Sequence, residues 1–286
     1  VARAPVHFFS HGSTMMLGEE SESGTYWKKC GDEALANGIK GVVIMGAHWD
    51  VVGEDLVEIA VNPKPEVTPA AYVHPDKYAT YKLAPDIATG NRCIRMLQDA
   101  GVKARPNTTY NWIHDVYLIL IRMFPEQCPP TTIISLNARF DPHFHMNIGS
   151  VLAPLRNEGY LFIGTGGAVH NLYRNNWVTI MRDRDNFAQE TPPEPWALEF
   201  RQSVEDCLLQ YRGPSLRRAI TRLTKHPQFR DAHATDDHFL PMCFCAGAAG
   251  DWEDEKDDYG KLGAETWELT NMCNSQFTIG SWRTLA

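Results

Sequence analysis

Short, nearly continuous apolar runs constrain this chain more than any other feature. Val6 to Phe9, Val42 to Ala47 and Tyr160 to Ile163 are strand-length segments with almost no polar alternation, which means that both sides of each must be covered. Stretches of helical character lie between them, and that alternation predicts an α/β fold, a central mixed sheet flanked by helices. Further strands are predicted at Leu56 to Val61, Thr132 to Leu136, Glu265 to Thr270 and Gln276 to Ile279, with the second and third runs widened to Gly41 to Ala47 and Tyr160 to Gly164. Helices are predicted at Tyr26 to Asn37, Ile87 to Ala100, His114 to Phe124, His143 to Leu155, Pro195 to Tyr211, Leu216 to Lys225 and Leu240 to Ala249. Asp141 before Pro142 supplies an N-cap and first-turn pair, Gly101 a stop, and Pro154 a break.

The 286 residues, 43% of them hydrophobic, suffice for one large core, so residues 1–286 are read as a single domain. The net charge of -8 comes with scattered Lys and Arg, which speaks against a nucleic-acid partner. The longest aliphatic and aromatic stretch, Val116 to Ile121, is far short of the roughly 20 residues that span a bilayer, and no membrane partner is expected. No signal peptide is visible, although Val1 in place of Met suggests a trimmed or incomplete N-terminus. Seven cysteines without a regular spacing fit a reduced, cytoplasmic setting. Cys243 and Cys245 read as buried packing. The loops Asn62 to Pro75 and Asp251 to Lys261 stand out, the first as a functional candidate, the second as a solvated acidic run. A homo-oligomer is compatible with the composition.

Four of the 11 histidines differ from the rest because each stands at a predicted element boundary: His11, His48, His170 and His238. Strand carboxyl ends are where ligands gather in open α/β sheets. Imidazoles converging there from separate elements would make a metal site with open positions, suited to iron(II) or to zinc, and spacing alone does not choose between them. His7, His143, His145, His226 and His233 are read as ordinary surface or core residues. Gly164-Thr165-Gly166-Gly167 fails the dinucleotide pattern, since Val169 stands where the last glycine belongs, and is read as a tight strand-to-helix turn presenting His170. No P-loop, G-x-S-x-G, H-E-x-x-H or EF-hand pattern occurs.

In Ser10-His11-Gly12-Ser13, Gly46-Ala47-His48-Trp49, His114, Val169-His170-Asn171-Leu172 and His238-Phe239-Leu240-Pro241, in that order across nearly the whole chain, the sequence resembles the class III extradiol ring-cleaving dioxygenases. It is most similar to their DOPA 4,5-dioxygenase-like branch. The resemblance implies a non-haem iron(II) held by His11, His48 and His238, with zinc as an alternative occupant, and an aromatic diol and dioxygen as substrates. It implies His170 as the acid/base group, with His114 in the same pocket, and leaves Asp237 as a less favoured substitute ligand. The family's Asp-Phe-x-Gly-Phe-Pro stretch is replaced by Pro69-Ala70-Ala71-Tyr72-Val73-His74-Pro75, and its Asp-His-Gly by Ile113-His114-Asp115. Both are substrate-facing in relatives, so Trp49, Tyr72, His74 and Trp112 are taken as candidate substrate-binding residues. A zinc-dependent hydrolase in the same pocket and a non-catalytic scaffold are the alternatives.

Overall fold

The strands are β1 (Ala2–Arg3), β2 (Val6–Ser10), β3 (Gly41–Val51), β4 (Leu56–Ala60), β5 (Lys103–Asn107), β6 (Thr131–Asn137), β7 (Tyr160–Gly166), β8 (Gly260–Glu268), β9 (Met272–Ile279) and β10 (Arg283–Thr284). The helices are α1 (Glu22–Ala36), α2 (Ile87–Asp99), α3 (His114–Met123), α4 (Pro142–Leu152), α5 (Trp177–Asp183), α6 (Pro195–Gln210), α7 (Gly213–Leu223), α8 (Phe229–Ala232) and α9 (Leu240–Ala248). The computed structural model describes residues 2–251 and 259–284. Eight strands form one mixed sheet in the order β5-β4-β6-β3-β7-β2-β9-β8, and β1 pairs with β10 apart from it.

The four middle strands, β6, β3, β7 and β2, are parallel, while β9 joins β2 and β8 joins β9 in antiparallel sense. Alternate residues of the middle strands enter two separate cores. Phe8, Val43, Met45 and Phe162 pack with residues of α2, α4, α6, α7 and α9 on one face, and Phe9, Val42, Ile44, Leu161 and Ile163 with α1 and α3 on the other. Helices on both sides explain why these strands read as apolar runs rather than alternating ones. The parallel arrangement brings the carboxyl ends of β2, β3 and β7 to the same edge of the sheet.

All seven predicted helices form, with ends shifted by a few residues. Asp141 caps α4 through the Phe144 N–H at 3.0 Å, and α4 stops at Leu152, where a 3-10 stretch containing Pro154 follows. Other expectations are corrected. The segment predicted as a strand at Glu265 to Thr270 begins earlier and ends at Glu268, because Leu269 and Thr270 turn with φ of 52° and 70°. β5 carries Pro106, which argues against a strand in a sequence, and it is tolerated because β5 is the edge of the sheet. α5 and α8, seven and four residues long, are too short to show a helical period. Of the loop predicted at Asp251 to Lys261, residues 252–258 lie outside the described residues, and Gly260 and Lys261 belong to β8. All seven cysteines are free, and Cys243 and Cys245 are fully buried in α9. Among the described residues no helix is long and apolar enough to cross a membrane.

His145 shows how the fold treats a histidine it needs only for structure. Its Nδ1 lies 2.6 Å from the Asp141 carbonyl and its Nε2 accepts the Asn137 N–H at 3.0 Å. Burial pushes its pKa down to about 4. A lowered value means that the neutral form is favoured on folding, so its stabilisation is complete above the unfolded pKa of about 6.5 and is lost as pH falls towards 4. At ~1.4 kcal/mol per pH unit, about 3 kcal/mol should disappear across that window. Urea midpoints measured from pH 7 to 4 should therefore fall less steeply for His145→Gln than for the wild type; parallel curves would refute the assignment.

Candidate active site

Three of the site's histidines are delivered by the ends of the parallel strands. His11 is the first residue past β2, is fully buried, and has its Nδ1 2.8 Å from the Thr165 hydroxyl of β7. His48 lies within β3 where the register against β6 breaks between Met45 and Asp50. Such an irregularity re-aims a side chain at the rim of a sheet, and the His48 side chain is exposed. His170 follows β7 by four residues, and its backbone N–H donates to the Ala232 carbonyl at 2.9 Å. The glycine-rich segment is therefore not a strand-to-helix turn. β7 runs through Gly166, and His170 bridges His233 instead of starting a helix.

The other two histidines come from helices. His114 opens α3 and is half-buried. His238 sits just before α9 at 3% exposure. Its backbone presses so closely on β7 that a Cβ at Gly166 would lie 2.1 Å from the His238 carbonyl oxygen. That contact is the reason for a glycine there, and it is a packing reason rather than a turn. Asp237 orients the ring, with Oδ2 2.8 Å from His238 Nδ1.

The five rings converge. The Nε2 atoms of His11 and His48 are 3.4 Å apart. Ring centroids are 5.1 Å apart for His11 and His238, 4.9 Å for His48 and His238, and 4.5 Å for His48 and His114. His170 stacks on His238 at 3.5 Å with the planes 4° apart. The donor nitrogens of His11, His48 and His114 lie within 4.8 Å of one another. His238 is not in that tightest group, but its Nε2 is buried without a hydrogen-bond partner. A buried polar atom of this kind calls for an explanation, and a bound ion is one.

Protonation favours ligation. Burial, and then the neighbouring histidines, hold His11 and His238 well below the ordinary imidazole range. Burial also pushes His114 and His170 down to about 4, with the Asp237 carboxylate pulling His170 the other way. Neutral imidazoles at pH 7 are the form that binds a metal or accepts a proton. The arrangement thus offers lone pairs from His11, His114 and His238 to one divalent ion, with the His48 ring converging on the same point and a half-buried imidazole at His170 beside them.

The candidate substrate-binding residues do not fare alike. Trp49 is half-buried and stacks on Tyr110 at 3.9 Å. Tyr72 is 87% exposed, with φ at 61°. His74 is exposed and uses its Nδ1 to accept the Asp76 N–H at 3.3 Å. Trp112 is a core side chain at 1% exposure, so it presents no surface to a substrate, and its reading is corrected to packing. Sequence reasoning missed the roles of residues standing behind the histidines, having read Asp237 only as a substitute ligand and His233 as an ordinary surface or core residue. Thr165 and Asp237 orient rings, and His233, 0% exposed, holds its Nε2 3.1 Å from the Ala168 carbonyl beside the His170 bridge. Only Asp237 carried a signal, its adjacency to His238. Beyond His170 the chain exposes Leu172, Tyr173, Trp177, Val178 and Met181.

Comparisons with known proteins give the family and the fold. Residues 5–272 match the family model described as the catalytic LigB subunit of aromatic ring-opening dioxygenase. A 4,5-DOPA dioxygenase extradiol from Portulaca grandiflora is 29% identical over 93% of this chain and 95% of its own length. Its namesake from Escherichia coli K12 is 26% identical over 86% and 85%. The crystal structure of an uncharacterized protein from Escherichia coli K12 superposes with a TM-score of 0.75 at 22% identity, covering 97% of this chain and all of that one, and so shares the fold. The chain belongs to the LigB family, and with it to the extradiol ring-opening dioxygenases.

Proposed function

We propose that the protein is an iron(II)-dependent extradiol dioxygenase that opens the ring of a catechol-type substrate with dioxygen, using His11, His48 and His238 as ligands and His170 as the acid/base group. The observation that carries the reading is the convergence of three imidazoles on one point, two of them, His11 and His238, buried and held neutral, with the His238 Nε2 otherwise unpartnered. Three neutral imidazoles suit a divalent ion and leave positions free for a diol and dioxygen. When bound, iron(II) supplies the redox capacity that lets dioxygen react with an aromatic ring and a positive charge that offsets the catecholate.

The chain's own residues do the rest. His170, neutral at pH 7, accepts a proton from a catechol hydroxyl at a ring nitrogen, and the Asp237 carboxylate stabilises the imidazolium that results. Its stack on His238 keeps the ring beside the ligand set. His114, beside His48, is a second neutral imidazole able to donate a hydrogen bond to an oxygen of the opening ring, while the proton returned to that oxygen is the one His170 took from the hydroxyl. Trp49, Tyr72 and His74 are the side chains proposed for substrate contact. The relatives' names specify DOPA. The altered Pro69 to Pro75 segment points to a catechol with a different substituent.

The test is anaerobic loading with iron(II) followed by addition of oxygen and a panel of catechols. Oxygen uptake together with a new yellow chromophore is expected for at least one diol. Protein shown to contain iron that consumes no oxygen with any of them would sink the reading, and turnover that persists without oxygen would point to hydrolysis instead.

A further inference from the structure

Three acidic side chains are buried among the described residues: Glu58 at 7% exposure, Asp115 at 1% and Glu268 at 0%. A carboxylate withdrawn from water is costly unless a counter-charge compensates it. Glu58 is compensated in the usual way, with Arg105 2.6 Å from its Oε1 and the Asn107 amide donating to Oε2 at 2.7 Å. Among the described residues neither Asp115 nor Glu268 has an ion-pair partner.

Both stand behind a histidine-bearing segment, Asp115 behind the irregular stretch of β3 and Glu268 behind the loop after β2, and in the same manner. Glu268 Oε1 accepts the Ser13 N–H at 2.8 Å and an Asn274 amide N–H at 2.7 Å, while Oε2 accepts the Ser13 hydroxyl at 2.5 Å and an Asn186 amide N–H at 2.7 Å. Donors on every side fit the ionised carboxylate, which only accepts. Asp115 Oδ2 accepts the Ala47 and His48 N–H groups at 2.8 and 2.9 Å, and its Oδ1 is buried without a partner. In each segment a glycine next to the histidine, or two before it, makes the room. A Cβ on Gly12 would lie 2.3 Å from Glu268 Oε1, and one on Gly46 would lie 2.1 Å from Asp115 Oδ2.

We propose that Asp115 and Glu268 are the built-in counter-charge of the metal centre, two buried anions fastened behind the His48 and His11 segments whose missing cation is the divalent ion held by the histidines. The inference rests on the metal reading above. A site of neutral imidazoles leaves the two positive charges of the ion uncompensated by its ligands, and in a poorly polarisable interior, anions one layer further out offset them strongly. The two carboxylates are positioning residues: they act through the segments and the field, without touching substrate.

Glu268→Gln and Asp115→Asn each remove one charge and almost no volume. In the first, Oε1 keeps its two donors, and the Ser13 hydroxyl and Asn186 amide can turn to accept from the new amide. In the second, the two backbone donors keep an oxygen, and the new amide nitrogen takes the place of the unpartnered Oδ1. Chelator competition with Co(II) and Zn(II) measures affinity, and the thermal midpoint of the metal-free protein measures stability. Each variant is expected to bind roughly 10–100-fold more weakly, the range for outer-shell changes, while the metal-free midpoint stays level or rises and the Co(II) absorption bands keep their shape. Glu58→Gln is the control, expected to lower the midpoint and leave affinity unchanged. Unchanged affinity in both variants, or a lowered metal-free midpoint or failure to fold in both, would overturn the proposal, since either result marks the carboxylates as fasteners alone. A wild-type chain that binds neither ion would instead overturn the metal reading itself, and that is read before any variant is made.

Discussion

His170→Ala is expected to hold its metal as tightly as the wild type and to open the ring about 10²–10⁴-fold more slowly, the span usually supplied by one positioned acid/base group. The ring lies beside the ligands: it is parallel to His238 at 3.5 Å, and its backbone is anchored to Ala232. A face-to-face stack directs the imidazole edge past His238 instead of at a shared ion, which suits proton transfer better than ligation. Metal content measured on the purified variant, alongside single-turnover oxygen consumption, separates the two roles. An emptied site would reassign His170 as a ligand.

His238→Ala should weaken metal binding by more than about 100-fold, beyond the cost of an outer-shell change, whereas His114→Ala should leave binding within a few-fold of wild type and act on turnover. Distance alone would choose otherwise, because the donor nitrogens of His114, His11 and His48 form the tightest group. The hydrogen bonding decides for His238. Metal-binding histidines ordinarily have their second nitrogen fixed by another group, and Thr165 does this for His11 as Asp237 does for His238. Neither His48 nor His114 has such a partner among the described residues, so between His114 and His238 the Asp237 bond favours His238, and His114 is half-buried where His238 is closed off. Isothermal titration of both metal-free variants with Zn(II) distinguishes the sets. Retained affinity in His238→Ala with loss in His114→Ala would exchange their roles.

Much of this could be read from the sequence, and the physical reasons are specific. Strands buried on both faces are written as apolar runs, so β2, β3, β6 and β7 are evident and the edge strand β5, exposed and carrying Pro106, is not. His11, His48 and His170 announce themselves through small neighbours, yet the purpose of those neighbours does not show. Gly46 is there for a carboxylate 69 positions away, and Gly166 for the backbone of His238. Glu268 had no local signal at all, because its partners Ser13 and Asn186 are distant in sequence. Trp112 was misplaced for the converse reason: it neighbours the pocket histidine in sequence but turns into the core.

The order in which the chain meets itself carries one last consequence. The surroundings of His11 are completed by Thr165, 154 residues further on, and by Glu268, 255 residues beyond Ser13, while β2 itself lies between β7 and β9. Contacts so far apart form slowly and late. During synthesis all five histidines are made before β8 and β9, which fasten the first of them. On the metal reading proposed above, capture at this centre would report finished folding, and a chain stopped short of its final hairpin would hold every proposed ligand without the contacts that fasten His11.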